Sequence, residues 1–116
     1  MLRGILQIPL EACSLLVAHI PPAKYASEQT EFRGLLYSIL MLLRQDIPIV
    51  LVCDLNRNSD SHWVETLLGL GLNLILPQEG CDYVFSSSDL VNRLSLQIYD
   101  DLKQLSDHKP IVIELN

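Results

Sequence analysis

The sequence has 116 residues, of which 49% are hydrophobic and 19% are charged. This length suits one domain with enough apolar side chains for a core, so we expect a single domain over residues 1–116 and exclude wholesale disorder. The net charge of −6 disfavours a protein that holds nucleic acid by bulk electrostatics. It does not exclude an enzyme that reaches a phosphate through a metal ion.

The cysteines and the apolar stretches indicate the cellular compartment. Cys13, Cys53 and Cys81 are odd in number and follow no metal-ligand spacing, so we expect reduced thiols. The apolar stretches are too short to cross a bilayer, and the N-terminal residues do not resemble a secretory signal. We therefore expect a cytoplasmic, intracellular protein without a membrane partner.

In the first half of the chain the pattern predicts two strands and a helix. The strands are Leu2–Ile8 and Ser14–Ile20, and the second ends at two prolines that cannot donate to a ladder. Apolar residues at helical spacing predict an amphipathic helix over Ser27–Arg44. Its predicted buried face consists of Phe32, Leu35, Leu36, Ile39, Leu40 and Leu43.

The second half predicts four strands and a helix. The β-branched run Ile47–Cys53 is typical of a strand buried on both faces. A helix over Ser59–Leu68 follows, with Ser59 or Asp60 as its cap and glycines at its end. Its predicted buried face is Trp63, Val64, Leu67 and Leu68, and the later strands are Asp82–Ser86, Leu94–Tyr99 and Pro110–Leu115. This order predicts an α/β fold with a mixed β-sheet and helices on one face.

Polar side chains stand at the ends of these predicted strands, where binding and catalytic residues are common. They are Asp54 and Asn56 after the third strand, Asp82 at the start of the fourth, Asp107 and His108 before the last, and His19 at the end of the second.

Each of these residues has a structural explanation when it is taken alone. Asp54 and Asn56 can cap a turn by bonding their own backbone. A lone histidine such as His19 is more often packed or at the surface than catalytic. Asp82 can be a turn residue, and the polar pair before the last strand can cap that strand.

Taken together, the same residues supply the groups that a phosphoester hydrolase needs. A carboxylate holds or deprotonates a water, and amide or imidazole groups donate to the phosphate oxygens. A second carboxylate orients the imidazole and stabilises its charged form. In a mixed sheet these strand ends could converge.

Four ordered segments resemble motifs of the endonuclease/exonuclease/phosphatase superfamily. VLVCDLN is similar to the family's GDFN box, CDYVFSS to its DYIF-type strand, and LSDHKPIVIEL to its terminal SDH box. LLVAHIPP matches the strand that ends in His or Tyr. The resemblance runs over nearly the whole chain and implies the C-terminal half of a four-layer α/β sandwich, of the deoxyribonuclease and apurinic-endonuclease type.

The resemblance implies a role for each matching residue. Asp54 would position the attacking water, and Asn56 would hold the scissile phosphate. His19 resembles a second histidine on the phosphate side, as in pancreatic-type deoxyribonucleases. These assignments make Asn56 and His19 both catalytic and substrate-binding.

The terminal box completes the implied site. His108 resembles the histidine that contacts the phosphate, and Asp82 would pair with it and fix its tautomer. Asp107 resembles a residue beside the divalent metal, which Asp54 would share, and Ser106 would bind substrate. The implied cofactor is Mg²⁺, or Mn²⁺ in its place.

The sequence also departs from the family pattern. The family's first half, with the Glu that is its main magnesium ligand, has no counterpart, since the only early acid is Glu11 in a predicted turn. Cys53 replaces the usual glycine, which reduces backbone freedom, and Val17 stands where many members have Asn.

Three functions remain open at this stage. The first is a metal-dependent phosphoester hydrolase, a nuclease by resemblance, whose partner is nucleic acid or another phosphoester. The second is a non-catalytic fragment or binding module that has lost the N-terminal half and its Glu, and whose partner is that missing half-domain or a second copy of the chain. The third is an unrelated structural α/β domain.

Overall fold

The computed structural model describes residues 4–20, 28–56, 61–77, 82–98 and 111–116. This part of the chain holds seven strands, two α-helices and a short 3₁₀ helix. In chain order the elements are β1 (Gly4–Pro9), β2 (Ser14–His19), α1 (Glu28–Arg44), β3 (Ile49–Asp54), α2 (His62–Gly69), β4 (Asn73–Pro77), β5 (Asp82–Ser86), the 3₁₀ helix (Ser88–Arg93), β6 (Leu94–Ile98) and β7 (Ile111–Leu115).

Five strands form one mixed sheet in the order β1-β2-β3-β5-β4. β2 and β3 are parallel, because α1 carries the chain from the end of one strand back to the start of the other. The other three pairs are antiparallel. β3 is therefore the central strand, while β6 and β7 pair antiparallel in a separate two-stranded sheet.

Both helices contribute to a core on one face of the five-stranded sheet. Alternate residues of the strands, such as Leu16 and Leu51, join Leu35 of α1 and Leu67 of α2 in one buried cluster. These four leucines are fully buried, and each such burial contributes about 1.5–3 kcal/mol. The expected α/β fold with helices on one face is confirmed.

The two-stranded sheet packs on the opposite face. Val50 and Val84 of the large sheet are buried there with Leu90 of the 3₁₀ helix. Leu96 of β6 and Ile113 of β7 pack against them. The resulting order of helix, sheet and sheet corresponds to part of a four-layer α/β sandwich.

The predicted helix faces were wrong at two positions. Leu40 is 44% exposed and Leu68 is 43% exposed. In α1 the buried stripe turns slightly around the helix, so that Leu42 is buried at 3% instead of Leu40. In the short α2 only Val64 and Leu67 are buried.

The start of α2 also differs from the prediction. The N-cap is Ser61, whose Oγ accepts a hydrogen bond from Val64 N at 3.3 Å. The predicted caps, Ser59 and Asp60, lie outside the described residues. At the other end Gly71 adopts a φ of 95°, which only glycine adopts readily, so a glycine ends this segment as predicted.

The prediction missed one strand, β4. It forms an edge of the large sheet and pairs with β5, with a register shift between Leu74 and Leu76. β4 has only five residues, and proline, which is disfavoured within strands, stands at its end as Pro77. Both features made the strand difficult to recognise in the sequence. No helix in the described part of the chain is long and apolar enough to span a membrane.

Candidate active site

Three of the predicted site residues lie side by side on neighbouring strands. His19 is opposite Asp54 across the β2–β3 pair, and Asp54 is opposite Asp82 across the β3–β5 pair. In each of these strands, the residue next to the site residue belongs to the core on the helix side of the sheet. Successive side chains of a strand point to opposite faces, so His19, Asp54 and Asp82 project from the face opposite α1 and α2. The structure thus brings His19, Asp54 and Asp82 together at one end of the sheet.

His19 and Asp54 form a charge contact at the rim of the sheet. His19 Nε2 lies 3.7 Å from Asp54 Oδ2, which is too long for a hydrogen bond but suits an ion pair when the imidazole is protonated. Their side chains are 35% and 16% exposed, so both are accessible from solvent. Within the described residues, His19 Nδ1 is buried and has no hydrogen-bond partner.

The turn after β3 fixes the position of Asp54. Asp54 Oδ1 accepts a hydrogen bond from Asn56 N at 3.0 Å, as in an Asx turn, and Asn56 has a φ of 51°. Asparagine is one of the few amino acids that adopt this left-handed conformation readily. Asp54 and Asn56 therefore do cap a turn, as expected for such residues when they are taken alone. This capping role leaves both residues within the candidate site.

Ile20 connects this turn to β2 through its backbone alone. Asn56 Nδ2 donates to Ile20 O at 2.6 Å, and Ile20 N donates to Asp54 O at 2.8 Å. These bonds hold the ends of β2 and β3 together beyond the strand ladder. Sequence analysis missed Ile20, because no side chain signals the contact and only the strand register reveals it.

Cys53 lies directly behind the site, in the helix-side core. Burial, and then the negative charges of Asp54 and Asp82, raise the pKa of its thiol. The restricted backbone expected at Cys53 causes no irregularity, because Cys53 is an ordinary strand residue and the positive φ occurs at Asn56.

The described residues supply only part of the implied metal site. Asp54 carries oxygen donors of the kind that Mg²⁺ and Mn²⁺ prefer. Within the described ranges, however, no three His, Cys, Asp or Glu side chains form a group that could hold an ion. Ser106, Asp107 and His108 lie outside the described residues, so their implied roles stay predictions.

The fold is similar to that of three solved structures. The 3′-5′ exonuclease NExo from Neisseria meningitidis superposes with a TM-score of 0.78 at 16% identity, over 98% of this chain and 65% of that one. The cytolethal distending toxin from Haemophilus ducreyi gives 0.60 at 19% identity, over 99% and 54%. The cytolethal distending toxin from Actinobacillus actinomycetemcomitans gives 0.60 at 18% identity, over 96% and 52%.

These similarities establish a shared fold. The chain spans between 52% and 65% of the length of the three structures. No protein-family model and no curated protein matches the sequence.

Proposed function

We propose that the chain is a divalent-metal-dependent phosphoester hydrolase of the endonuclease/exonuclease/phosphatase superfamily, and specifically a nuclease that cleaves phosphodiesters with an activated water. The row of His19, Asp54 and Asp82 at one end of the sheet carries this proposal. It supplies two carboxylates and an imidazole, which are acid–base and charge-stabilising groups. The fold shared with a 3′-5′ exonuclease supports the same conclusion.

In this proposal Asp54 holds or deprotonates the attacking water. Its carboxylate is oriented by the Asn56 backbone and remains partly exposed at the rim. His19 contacts the phosphate and, when protonated, offsets its negative charge. Asn56 also contacts the scissile phosphate, because a side-chain amide can donate to phosphate oxygens.

The terminal SDH box is proposed to complete the site. His108 would stabilise the developing charge, with Asp82 fixing its tautomer. Ser106 would bind substrate. Asp107 and Asp54 would hold Mg²⁺ or Mn²⁺, a proposal that is supported by the oxygen donors of aspartate and by the resemblance of this segment.

The decisive experiment measures hydrolysis of a supercoiled plasmid and of a small phosphodiester. Each substrate is incubated with the full chain in Mg²⁺, in Mn²⁺ and in chelator, alongside the His108→Ala variant. We expect metal-dependent plasmid cleavage that the variant loses while its circular dichroism stays unchanged. Cleavage of the small substrate alone would exclude an endonuclease that acts on closed circular double-stranded DNA. Absence of all hydrolysis by a folded chain would overturn the catalytic proposal.

A non-catalytic module is the second candidate, because the site residues also have structural partners. Asp54 and Asn56 stabilise the turn after β3 and tie it to Ile20, and these bonds would be useful without any reaction. In this case the partner would be the missing half-domain or a second copy of the chain. A folded chain that cleaves nothing but sediments as a dimer, or that binds a separately supplied half-domain, would support this candidate.

We also propose a cytoplasmic location. Cys13 and Cys53 are both buried as free thiols. Free thiols are typical of a reducing compartment, whereas secreted proteins tend to form disulfides. Fractionation of cells that express the tagged chain would test this location.

A further inference from the structure

A cleft of about 330 Å³ lies between α1 and α2. Gln29, Phe32 and Arg33 line it from the first half of α1, and His62 and Trp63 line it from the start of α2. The cleft is on the helix side of the sheet, so it is separate from the face that carries His19 and Asp54.

One wall of the cleft is aromatic. The rings of Phe32 and Trp63 stack with centroids 4.3 Å apart and an angle of 15° between their planes. Phe32 is buried, whereas Trp63 remains half-buried and lines the cleft. The stack packs the helices together, and it also presents an indole whose orientation is already fixed. A rigid aromatic group of this kind is what unpaired bases stack on.

The other wall is polar and can be positive. Arg33 and His62 are both exposed and face the cleft with Gln29, and none of the described residues that line the cleft is acidic. This composition stands out in a chain with eight Lys and Arg against fourteen Asp and Glu. A guanidinium beside an aromatic ring suits a phosphate next to a base.

The cleft lies within reach of the candidate active site. α1 follows β2 and α2 follows β3, so the starts of both helices connect to the strand ends that carry His19 and Asp54. His62 is six residues after Asn56, which places their Cα atoms at most about 22 Å apart. A strand of a few nucleotides can span such a distance.

We infer that this cleft binds a single-stranded segment of nucleic acid next to the scissile phosphate, with a base against Trp63 and a backbone phosphate on Arg33 and His62. The inference rests on the proposed nuclease function. It adds a second binding surface, outside the catalytic row, that holds the substrate strand by stacking and by charge.

The chain offers a built-in reporter, because Trp63 is its single tryptophan. The full chain with Asp54→Asn, which should slow cleavage, is titrated in chelator with a single-stranded DNA of about ten nucleotides. Tryptophan fluorescence and anisotropy of a labelled strand are both recorded at several salt concentrations. We expect saturable quenching of Trp63 that parallels the anisotropy.

Two arginine variants test the charge contact. Arg33→Ala should weaken binding roughly 2- to 5-fold and make the logarithmic salt slope shallower by about 0.7. Arg44→Ala is the matched control, because Arg44 is exposed at the far end of the same helix and does not line the cleft. Equal weakening by both variants, or binding without quenching, would overturn the inference.

A parallel cleavage assay with unmodified Asp54 separates this inference from the proposed function. Cleavage that is unaffected by Arg33→Ala, without quenching of Trp63, would overturn the cleft and leave the nuclease intact. Quenching that depends on Arg33, without cleavage, would support the cleft and overturn the catalytic proposal. Absence of both binding and cleavage would overturn both.

Discussion

His19 and Asp54 are the last residues of two parallel strands, and they lie opposite each other with His19 Nε2 3.7 Å from Asp54 Oδ2. Parallel neighbours end at the same edge of a sheet, so both side chains arrive there together. The pairing requires α1 to return the chain from the end of β2 to the start of β3. The contact is therefore a product of topology rather than of local sequence.

Asp54→Asn should reduce phosphodiester cleavage by about 100-fold or more, because the amide cannot act as a base. The variant should remain folded, since Asn Oδ1 can still accept the bond from Asn56 N. Initial rates and thermal melting measure the two effects. Asp46→Asn is the matched control, because Asp46 is exposed just before the other end of β3 and belongs to no proposed site. Equal rates for the two variants would remove Asp54 from the mechanism.

Replacement of Asn56 should separate backbone conformation from side-chain bonding. Asn56→Gly loses the bond to Ile20 O but tolerates the φ of 51°. Asn56→Ala loses the same bond and also pays about 1–2 kcal/mol for the left-handed conformation. The free energy of unfolding, measured by urea titration, should therefore be highest for the wild type, lower for Asn56→Gly and lowest for Asn56→Ala. Equal stability of the two variants would show that the left-handed conformation costs nothing at this turn.

Leu35→Ala and Leu40→Ala should differ sharply in stability, although both were placed on one helix face by the sequence pattern. Leu35 is fully buried, so its truncation should lower the free energy of unfolding by about 2–5 kcal/mol. Leu40 is 44% exposed, so its truncation should change that free energy by about 0.5 kcal/mol or less. Urea titrations of the two variants provide the comparison, and similar losses would contradict the observed orientation of α1.

Alkaline pH should destabilise the fold through Cys53. Its thiol has a pKa raised above the ordinary 9.0, first by burial and then by Asp54 and Asp82. Above pH 9 the unfolded state loses this proton and the folded state keeps it, so the unfolding free energy falls as pH rises. The slope for one such group is at most about 1.4 kcal/mol per pH unit. Cys53→Ala should show a shallower decline in urea titrations between pH 8 and pH 10, and parallel profiles would contradict this effect.

Most of the fold was predictable because its core strands are strongly patterned. The run that became β3 is apolar on both faces, and the structure places it at the centre of the sheet. β4 was missed because an edge strand has one pairing partner and needs little apolar sequence, so Asn73–Pro77 resembles a loop. The exposed Leu40 could not be recognised either, because helical spacing defines a stripe but not its rotation against the sheet.

The arrangement of the candidate site was predictable to a smaller extent. Polar residues at strand ends indicated His19, Asp54 and Asp82, and the strand register brings these three together. The register itself depends on long-range pairing, which no local pattern contains. For the same reason the bonds between Asn56 and Ile20 were not foreseeable. The roles of Ser106, Asp107 and His108 stay predictions.

The two edges of the five-stranded sheet differ in how well they resist intermolecular strand addition. Both edge strands end at a proline, but of these two described strands β4 is interrupted by a register shift between Leu74 and Leu76, a feature that impedes pairing with another chain. β1 stays in regular register with β2 from Gly4 to Pro9, and Leu6 on it is 58% exposed. Ordered aggregation at high concentration is therefore least opposed along β1, on the side of the sheet remote from β4.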